Sequence, residues 1–577
     1  MSYHTQTTTW TLASIGTLLA GCGADLLPSG GSSVDTNPPT VGAVHDGLGE
    51  DIDVQASTTR LSANWSGFDD PEGPISHYQW GVGTTEGAIF LEWTHVGPQS
   101  HATLIDLELE PHTTYVVLVR AVDLAGNISV PALSDGVTID PNAPPGGPGN
   151  PPASELASSV SQWGFTWSFA EPEHVGQFCN GDWWVVGPVA ITEITPKSSV
   201  VDGRTINGSM RNPVPDGKQG YDSTLYGQFA ENHWDADLNV AMGLEPGSPL
   251  LLQPGCSLVS TISQIEPASN GSKSQLQTAA VLTILDQQPP DGAFRPAYSG
   301  DEKPILHREA DLDWSTLATL EPPAGTPPMV ATADKFERVW LDHCPGWLSR
   351  FMHPAQNMRD YARDFTADIG TAALLLNLDY PTGVKRDLAI RVIQLGIDNW
   401  GNVLGGCIWA GDGGHTSGRK FPILFAGTLL DDVPMLGAGT SHPSAYLGPE
   451  HEQNRSVFGE DSQTFYVSQS SPGVYNWGHG GYGPQHLGLP EWGVSHSHAP
   501  ARDNVSWSHD PYRRCCTANS WVGQCLALRI MNLQGQWNHP AFFDYLDRYT
   551  SQEEAGAWTR AWISWHETMW NSYRSQF

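Results

Sequence analysis

Residues Asn399–Leu430 read NWGNVLGGCIWAGDGGHTSGRKFPILFAGTLL, in which a glycine-rich loop joins the end of one apolar helical pattern to the start of another. Pro422 suits the first turn of the second helix, because the N–H that proline lacks would have no partner there. His415, Arg419 and Lys420 therefore precede a helix N-terminus, where free N–H groups and the helix dipole favour an anion. The segment predicts either an anion-facing site with His415 as a proton-transfer group, or a solvated capping loop with a packed histidine.

Apolar residues recur at helical spacing from Ala331 onward. Two such stripes each mark one face of a helix, at Phe365, Ile369, Ala373 and Leu376 and at Val384, Leu388, Val392 and Leu395. Further helices are expected over 421–431, 515–533, 539–549 and 555–573. We therefore predict a helical catalytic domain over 306–577, with about seven helices.

Short alternating strands, rather than helices, are predicted for residues 39–140. Trp65 fits the core tryptophan of a second strand, and Leu109–Tyr115 (LEPHTTY) fits a tyrosine corner ahead of a sixth strand. Asp123–Ser129 (DLAGNIS) fits the hairpin that follows. These residues resemble a fibronectin type III domain, and the resemblance implies a spacing or weakly binding module without chemistry of its own.

A linker rich in proline and glycine occupies 141–154 and marks a domain boundary, since such sequences are extended and make few contacts. Residues 155–305 then return to strand patterns separated by turn-forming Asn-Gly and Asp-Gly pairs. The simplest structure for this second β region is a β-sandwich.

Antiparallel helix pairs preceded by a sandwich resemble the α/α-toroid architecture of polysaccharide lyases and of some glycoside hydrolases. The resemblance is architectural and rests on no family motif. A closed toroid of six hairpins needs more helices than the chain offers, so the resemblance implies an incomplete ring. The expected fold is multidomain: a fibronectin III-like module, a β-sandwich and an incomplete α/α toroid-like helical domain.

The first 22 residues read as a lipoprotein signal peptide. An apolar run ends in Leu19-Ala20-Gly21-Cys22, which resembles a bacterial lipobox with Cys22 as the lipidated residue, although no Lys or Arg precedes the run. Residues 23–38 follow as a Gly/Ser/Asp spacer. We therefore expect an exported lipoprotein, held on the outer membrane or the cell surface by its lipid anchor.

Charge is distributed unevenly along the 577 residues, whose formal net charge is −34. The chain from Ala331 onward holds 18 Lys and Arg against 24 Asp and Glu, which leaves 10 against 38 for the preceding residues. So acidic a front half argues against nucleic acid as a partner. The 23 tryptophans suit stacking against sugar rings, and the nearly balanced rear half is where an anionic polysaccharide is expected to bind.

The long segment 432–513 interrupts the helical pattern and is rich in histidine, tyrosine and glycine. Segments of this length without helical periodicity are often functional. Cleavage of a uronic-acid polysaccharide by β-elimination needs a group that neutralises the carboxylate, a base and an acid, and it requires no cofactor. The candidates for catalysis are His415, Arg419, His479, Tyr482 and Tyr512, and those for substrate binding are Asn402, Trp409, Lys420, Trp477 and Arg513.

We therefore expect an exported lyase that cleaves a polysaccharide containing uronic acid. Two other functions are alternatives to this one. A glycoside hydrolase needs two facing carboxylates, which Asp412 could form with Glu450, Glu452, Asp461 or Glu491. A non-catalytic glycan-binding lipoprotein needs only the tryptophans and the fibronectin-like module. Within any of these functions, His496 and His498, with His509, could hold a divalent metal.

The lipobox yields a direct test of location. We expect the chain to fractionate with membranes when Cys22 is present and to become soluble when Cys22→Ser removes the site of lipidation. Fractionation of the expressing cells, followed by immunoblotting, measures this difference. Equal recovery of both forms from the soluble fraction would contradict the prediction.

Overall fold

The fold is taken from a computed structural model. It describes residues 35–47, 51–55, 58, 61–71, 73–85, 89–97, 100–104, 107, 109–140, 155–215, 217–224, 233–266, 274–345, 349–357, 362–409, 411, 413–443, 456–468, 484–493, 513–552 and 563–577.

Two β-sheets build the first region. Its strands are β1 Ala43–Asp46, β2 Val54–Gln55, β3 Leu61–Ser66, β4 Ile75–Thr84, β5 Ile89–Gly97, β6 His101–Leu104, β7 Thr114–Asp123, β8 Ala132–Leu133 and β9 Val137–Ile139. One sheet has the order β1-β3-β6, and the other has the order β2-β9-β7-β4-β5 with β8 beside β7.

The core of this region confirms the roles predicted for its aromatic residues. Trp65 is buried and packs edge-on against Tyr78, with 5.6 Å between ring centroids. The backbone N–H of Glu110 donates to the Tyr115 hydroxyl at 2.9 Å, which is the hydrogen bond of a tyrosine corner. The strand order and this corner make the N-terminal region fibronectin type III-like.

The second β region was predicted as a β-sandwich, which stays a prediction. Its longer strands hydrogen-bond into one continuous eight-stranded sheet of order β16-β18-β19-β12-β11-β13-β17, with β10 beside β11. The reason lies in β11, which pairs with β13 through its first half and with β12 through its second. The strands are β10 Glu155–Gln162, β11 Phe165–Gln177, β12 Trp183–Val186, β13 Val189–Thr195, β14 Ser199–Val201, β15 Arg204–Ile206, β16 Ser209–Arg211, β17 Leu250–Leu252, β18 Cys256–Ser263 and β19 Leu276–Leu285. Strands β14 and β15 form a separate hairpin.

Both faces of this sheet are buried. On β19, Leu282 and Ile284 pack into a core formed by the sheet itself. Val281, on the opposite face, packs with residues such as Leu341 and Phe351 from the region that follows the sheet. The second face of the sheet therefore supports the segment that carries Asp342 and His343.

The C-terminal region is helical, as the apolar stripes predicted. Its helices are α1 Met329–Ala333, α2 Ser349–Met352, α3 Ala362–Leu376, α4 Thr382–Leu404, α5 Lys420–Leu430, α6 Val433–Leu436, α7 Ala438–Ser441, α8 Gly459–Gln463, α9 Asn519–Ile530, α10 Gln534–Trp537, α11 Pro540–Gln552 and α12 Ser564–Tyr573. A π-helical turn, Arg513–Ala518, leads into α9. In the described part of the chain, no helix has the length and apolar character needed to cross a membrane.

Two helix pairs organise this region: α3 with α9, and α4 with α5. The first pair is very close, because a Cβ added to Gly370 would lie 2.9 Å from the backbone nitrogen of Gln524. The long segment 432–513, expected to lack helices, contains α6, α7 and α8 together with strands β20 Thr464–Tyr466 and β21 Pro490–Trp492. An α/α-toroid ring stays a prediction.

A buried ion-pair network joins the sheet to the helices. Arg295 donates from Nε to Asp182 at 2.6 Å and from Nη2 to Asp398 of α4 at 2.6 Å. Arg295 is 1% exposed, and both carboxylates are buried. Charges so far from water require partners, so this arginine fixes the position of α4 against the sheet.

Replacing Arg295 tests this connection. Arg295→Met should lower the free energy of unfolding by about 3–5 kcal/mol, because two buried carboxylates lose their counter-charge. The matched control is Arg308→Met, which breaks an exposed pair with Asp311 and should change stability little. Chemical denaturation of the full chain measures both effects. A change for Arg295→Met as small as that of the control would contradict the prediction.

Candidate functional site

The glycine-rich loop, residues 413–418, lies against helix α8 and ends at α5. A Cβ on Gly459 of α8 would come within 2.6 Å of Thr416 Oγ1, so the loop and the helix are in direct contact. Gln463 Nε2 donates to the carbonyl of Gly413 at 2.9 Å. Helix α5 starts at Lys420, which confirms that Pro422 lies in its first turn.

Arg419 is buried and paired with a carboxylate of the chain itself. Its Nε and Nη2 donate to Asp342 Oδ1 at 2.9 and 2.8 Å, and its Nη1 donates to the carbonyl of Ser417 at 2.6 Å. The side chain is 2% exposed. The negative group expected at this helix start is therefore supplied by Asp342, 77 residues earlier in the sequence.

Lys420 has the same kind of protein partner. Its Nζ donates to Asp461 Oδ2 at 2.5 Å and to the carbonyl of Trp537, and the side chain is 0% exposed. Burial lowers the pKa of Lys420, while Asp461 opposes this shift. The assignment of Lys420 to substrate binding is therefore corrected, because its ammonium group is enclosed in the core.

Asp342 also holds a histidine, which the sequence reasoning did not select. His353 Nε2 lies 3.1 Å from Asp342 Oδ1, the same oxygen that accepts from Arg419. Burial would raise the pKa of Asp342, but Arg419 and then His353 outweigh burial and bring that pKa to about 2. Burial lowers the pKa of His353, so its imidazole is neutral near pH 7.

Aromatic rings surround this histidine. The ring centroid of Phe365 is 4.4 Å from that of His353, and Trp340 meets the imidazole edge-on at 6.3 Å. The only sequence signal was the clustering of Asp342, His343 and His353 within twelve residues. This signal is weak beside the larger number of histidines in segment 432–513.

A second buried cluster centres on His343. The Tyr298 hydroxyl lies 3.1 Å from His343 Nδ1 and accepts from Asn402 Nδ2 at 3.2 Å. Tyr221 approaches the other ring nitrogen at 3.4 Å. Burial raises the pKa of both tyrosines well above the usual value, so both keep their protons. Asn402, predicted to bind substrate, therefore lies beside Tyr298, which the sequence analysis did not select.

Trp409 is a core residue rather than an exposed stacking platform. Its indole N–H donates to the carbonyl of Asp342 at 3.0 Å, and its ring stacks on Phe458 at 6.2 Å. The side chain is 1% exposed. The prediction that Trp409 binds substrate is corrected accordingly.

Glu460 of α8 is a further buried acid. Its Oε1 accepts from the backbone N–H of Gly418 at 2.6 Å and from Gln524 Nε2 at 2.9 Å, which ties the loop to α9. Burial raises the pKa of Glu460. His415, the predicted proton-transfer group, is likewise buried.

The remaining candidates divide between paired acids and residues outside the described ranges. Asp461 is ion-paired with Lys420, and Glu491 is ion-paired with Arg548. Arg513 begins the π-helical turn. The candidates that lie outside the described residues are Cys22, Asp412, Glu450, Glu452, Trp477, His479, Tyr482, His496, His498, His509 and Tyr512.

An open cleft of about 460 Å³ lies between the N-terminus of α4 and the segment that follows the sheet. Its lining residues include Glu309, Trp314 and Arg386. None of the lining residues belongs to the buried set around Asp342 or His343. We therefore assign the candidate chemistry to the buried set and not to this cleft.

Comparisons with known proteins support no family assignment. No protein-family model matches the chain, and no curated protein matches it. Solved structures that share part of the fold are domains A168–A170 of titin (TM-score 0.14, 21% identity, 18% of this chain and 32% of that one) and a human fibronectin type III domain (TM-score 0.15, 23% identity, 20% and 100%). The FN1–FN3 domains of chicken CNTN1 give a TM-score of 0.14 with 14% identity over 45% of this chain and 71% of that one. The chain spans about a third of the titin structure, and the fold assignment above rests on strand order and the tyrosine corner.

His343 gives a prediction for the dependence of stability on pH. Burial lowers its pKa from 6.5 to about 3, so between these values the unfolded chain binds a proton that the folded chain does not. Stability from this group is complete above about pH 6.5 and falls as the pH decreases toward 3, by about 1.4 kcal/mol per pH unit. His343→Gln should reduce that slope by one proton, as measured by denaturation at pH 5, 6 and 7. An unchanged slope would contradict the assignment.

Proposed function

We propose that the protein degrades a polysaccharide that contains uronic acid, and that it acts as a lyase by β-elimination. One observation carries the proposal: Asp342 holds Arg419 and His353 on a single carboxylate oxygen beneath the loop of His415. Elimination needs positive charge near the substrate carboxylate and a base for the C5 proton. Asp342, which also contacts His353, holds the guanidinium of Arg419 next to the loop that carries His415, the proposed base.

The proposed roles keep the acid and base candidates selected from the sequence. His415 on the loop, with Tyr482 and Tyr512, acts as base and acid, and His479 assists them. Arg419 is a positioning residue that also lends positive charge, because its guanidinium is held by Asp342. Asn402, Trp477 and Arg513 contribute substrate binding.

Access to these groups requires movement of the loop. His415, Arg419 and Asn402 are each no more than 2% exposed. Gly418 has φ +93°, a conformation that favours glycine. We propose that the loop, residues 413–418, swings away from α8 at this glycine when substrate binds.

A glycoside hydrolase is the second candidate, and Glu460 favours it. A general acid must keep its proton near neutral pH, and burial raises the pKa of Glu460 in that direction. Asp461, in contrast, is occupied by its ion pair with Lys420. We rank the lyase higher because Asp461 and Glu491, the proposed acids that lie within the described residues, are both ion-paired.

The proposed location and partners follow from the sequence. The chain is exported as a lipoprotein anchored through Cys22, and its partner is an anionic polysaccharide rather than nucleic acid. A non-catalytic glycan-binding lipoprotein would share this location and partner, so only an activity measurement separates it from the enzymes.

Incubating the full chain with a panel of uronic and neutral polysaccharides tests the proposal. Elimination creates a conjugated alkene that absorbs in the ultraviolet, whereas hydrolysis creates reducing ends without that absorbance. His415→Gln, Tyr482→Phe and Tyr512→Phe should each be examined, and removal of the true acid or base should lower turnover by about 10²–10⁴-fold.

His486→Gln is the matched control, since it changes a histidine of the same long segment to which no role is assigned. Unfolding midpoints separate a catalytic effect from a loss of folding. Full turnover in all three variants would overturn the assigned acid and base. Reducing ends without absorbance, abolished by Glu460→Gln, would establish the hydrolase instead.

A further inference from the structure

Three carboxylates meet in the fibronectin-like region, far in sequence from the candidate active site. Asp46 ends β1, Asp51 lies five residues later in the sequence, and Asp135 precedes β9. Each offers one carboxylate oxygen, and these three oxygens lie within 4.8 Å of one another. Three negative charges at such distances repel one another unless a cation lies between them.

Asp46 is the member that points to a ligand. Its side chain is 0% exposed, and its Oδ2 accepts from the backbone N–H of Gly136 at 2.9 Å. Its Oδ1 is buried and has no hydrogen-bond partner in the described part of the chain. A buried carboxylate oxygen without a partner is unfavourable, and a metal ion would satisfy it.

The surroundings provide little compensating positive charge. His45 Nδ1 lies 3.6 Å from Asp51 Oδ2, but this histidine is half exposed and is charged only when protonated.

We infer that Asp46, Asp51 and Asp135 bind a divalent cation, and that the cation is Ca²⁺. Ca²⁺ takes six to eight oxygen ligands in flexible geometry, which suits three carboxylates on separate segments of the chain. Carboxylates without histidine or cysteine ligands disfavour zinc and copper. Mg²⁺ requires stricter octahedral geometry and gives up its water ligands reluctantly.

Another acidic group in the same region shows why this one is singled out. Asp35, Asp70 and Asp123 also approach one another within 4.8 Å. Both oxygens of Asp123 are already used, since Oδ1 accepts from the backbone N–H of Asn127 and Oδ2 accepts from its side-chain amide. Because the oxygens of Asp123 already have these donors, we assign no ion to that group.

An ion bound by these three residues would link the end of β1, the segment that contains Asp51 and the segment before β9. Calcium would then stabilise the folded first region and raise its unfolding temperature, because the unfolded chain does not preserve the site. The predicted function is structural and is independent of the proposed polysaccharide chemistry.

Calorimetric titration of the full chain tests the site after chelator treatment and dialysis. Asp51→Asn and Asp135→Asn decide the outcome, because both residues are exposed and the variants should fold normally. Asp46→Asn is a third variant. Asp53→Asn is the matched control, since it removes an exposed negative charge from the same segment without touching the cluster.

We expect wild type and Asp53→Asn to bind Ca²⁺ and to unfold at a higher temperature in its presence. Asp51→Asn and Asp135→Asn should bind at least about tenfold more weakly, because affinity depends on the number of charged ligands. No calcium binding by wild type, or equal binding by Asp51→Asn and Asp135→Asn, would overturn the site. Equal affinity for Mg²⁺ would overturn the assignment to calcium.

Discussion

The carboxylate of Asp342 is the constraint on which the centre of the helical region depends. One of its oxygens faces both Arg419 and His353, and all three side chains lie in the core. Arg419 stands at the start of α5, so this ion pair fixes the end of the glycine-rich loop as well as the first turn of the helix. Without Asp342, a guanidinium would be buried beside the positive end of a helix dipole, which is doubly unfavourable.

Asp342 is itself held in place by the second β region. The segment that carries it packs on the face of the eight-stranded sheet that presents Val281. Arg295 then links the sheet to α4 through Asp398, and Asn402 lies one turn further along the same helix. The second β region therefore does more than space the helices, because it positions the polar groups from which catalysis is proposed.

Local features of the structure could be predicted from the sequence, because they depend on neighbouring residues. The stripes of α3 and α4, the first turn of α5 and the tyrosine corner all follow from short-range spacing. The partners of Arg419 and Lys420 could not be predicted in this way, since Asp342 and Asp461 are 77 and 41 residues distant. The continuity of the second β-sheet could not be predicted for a similar reason: pairing of β11 with different strands along its length is decided by tertiary packing.

Two fully buried aspartates show how far partners, rather than burial, determine the state of a carboxyl group. Burial alone would raise the pKa of both carboxyl groups, yet the pKa of Asp342 is about 2 and that of Asp46 is about 6. Asp342 faces a guanidinium and an imidazole, whereas Asp46 faces two further carboxylates. The negative charge of Asp342 is therefore balanced by a partner within the protein. Around Asp46 the neighbouring carboxylates add to the effect of burial, and its pKa lies above the usual value.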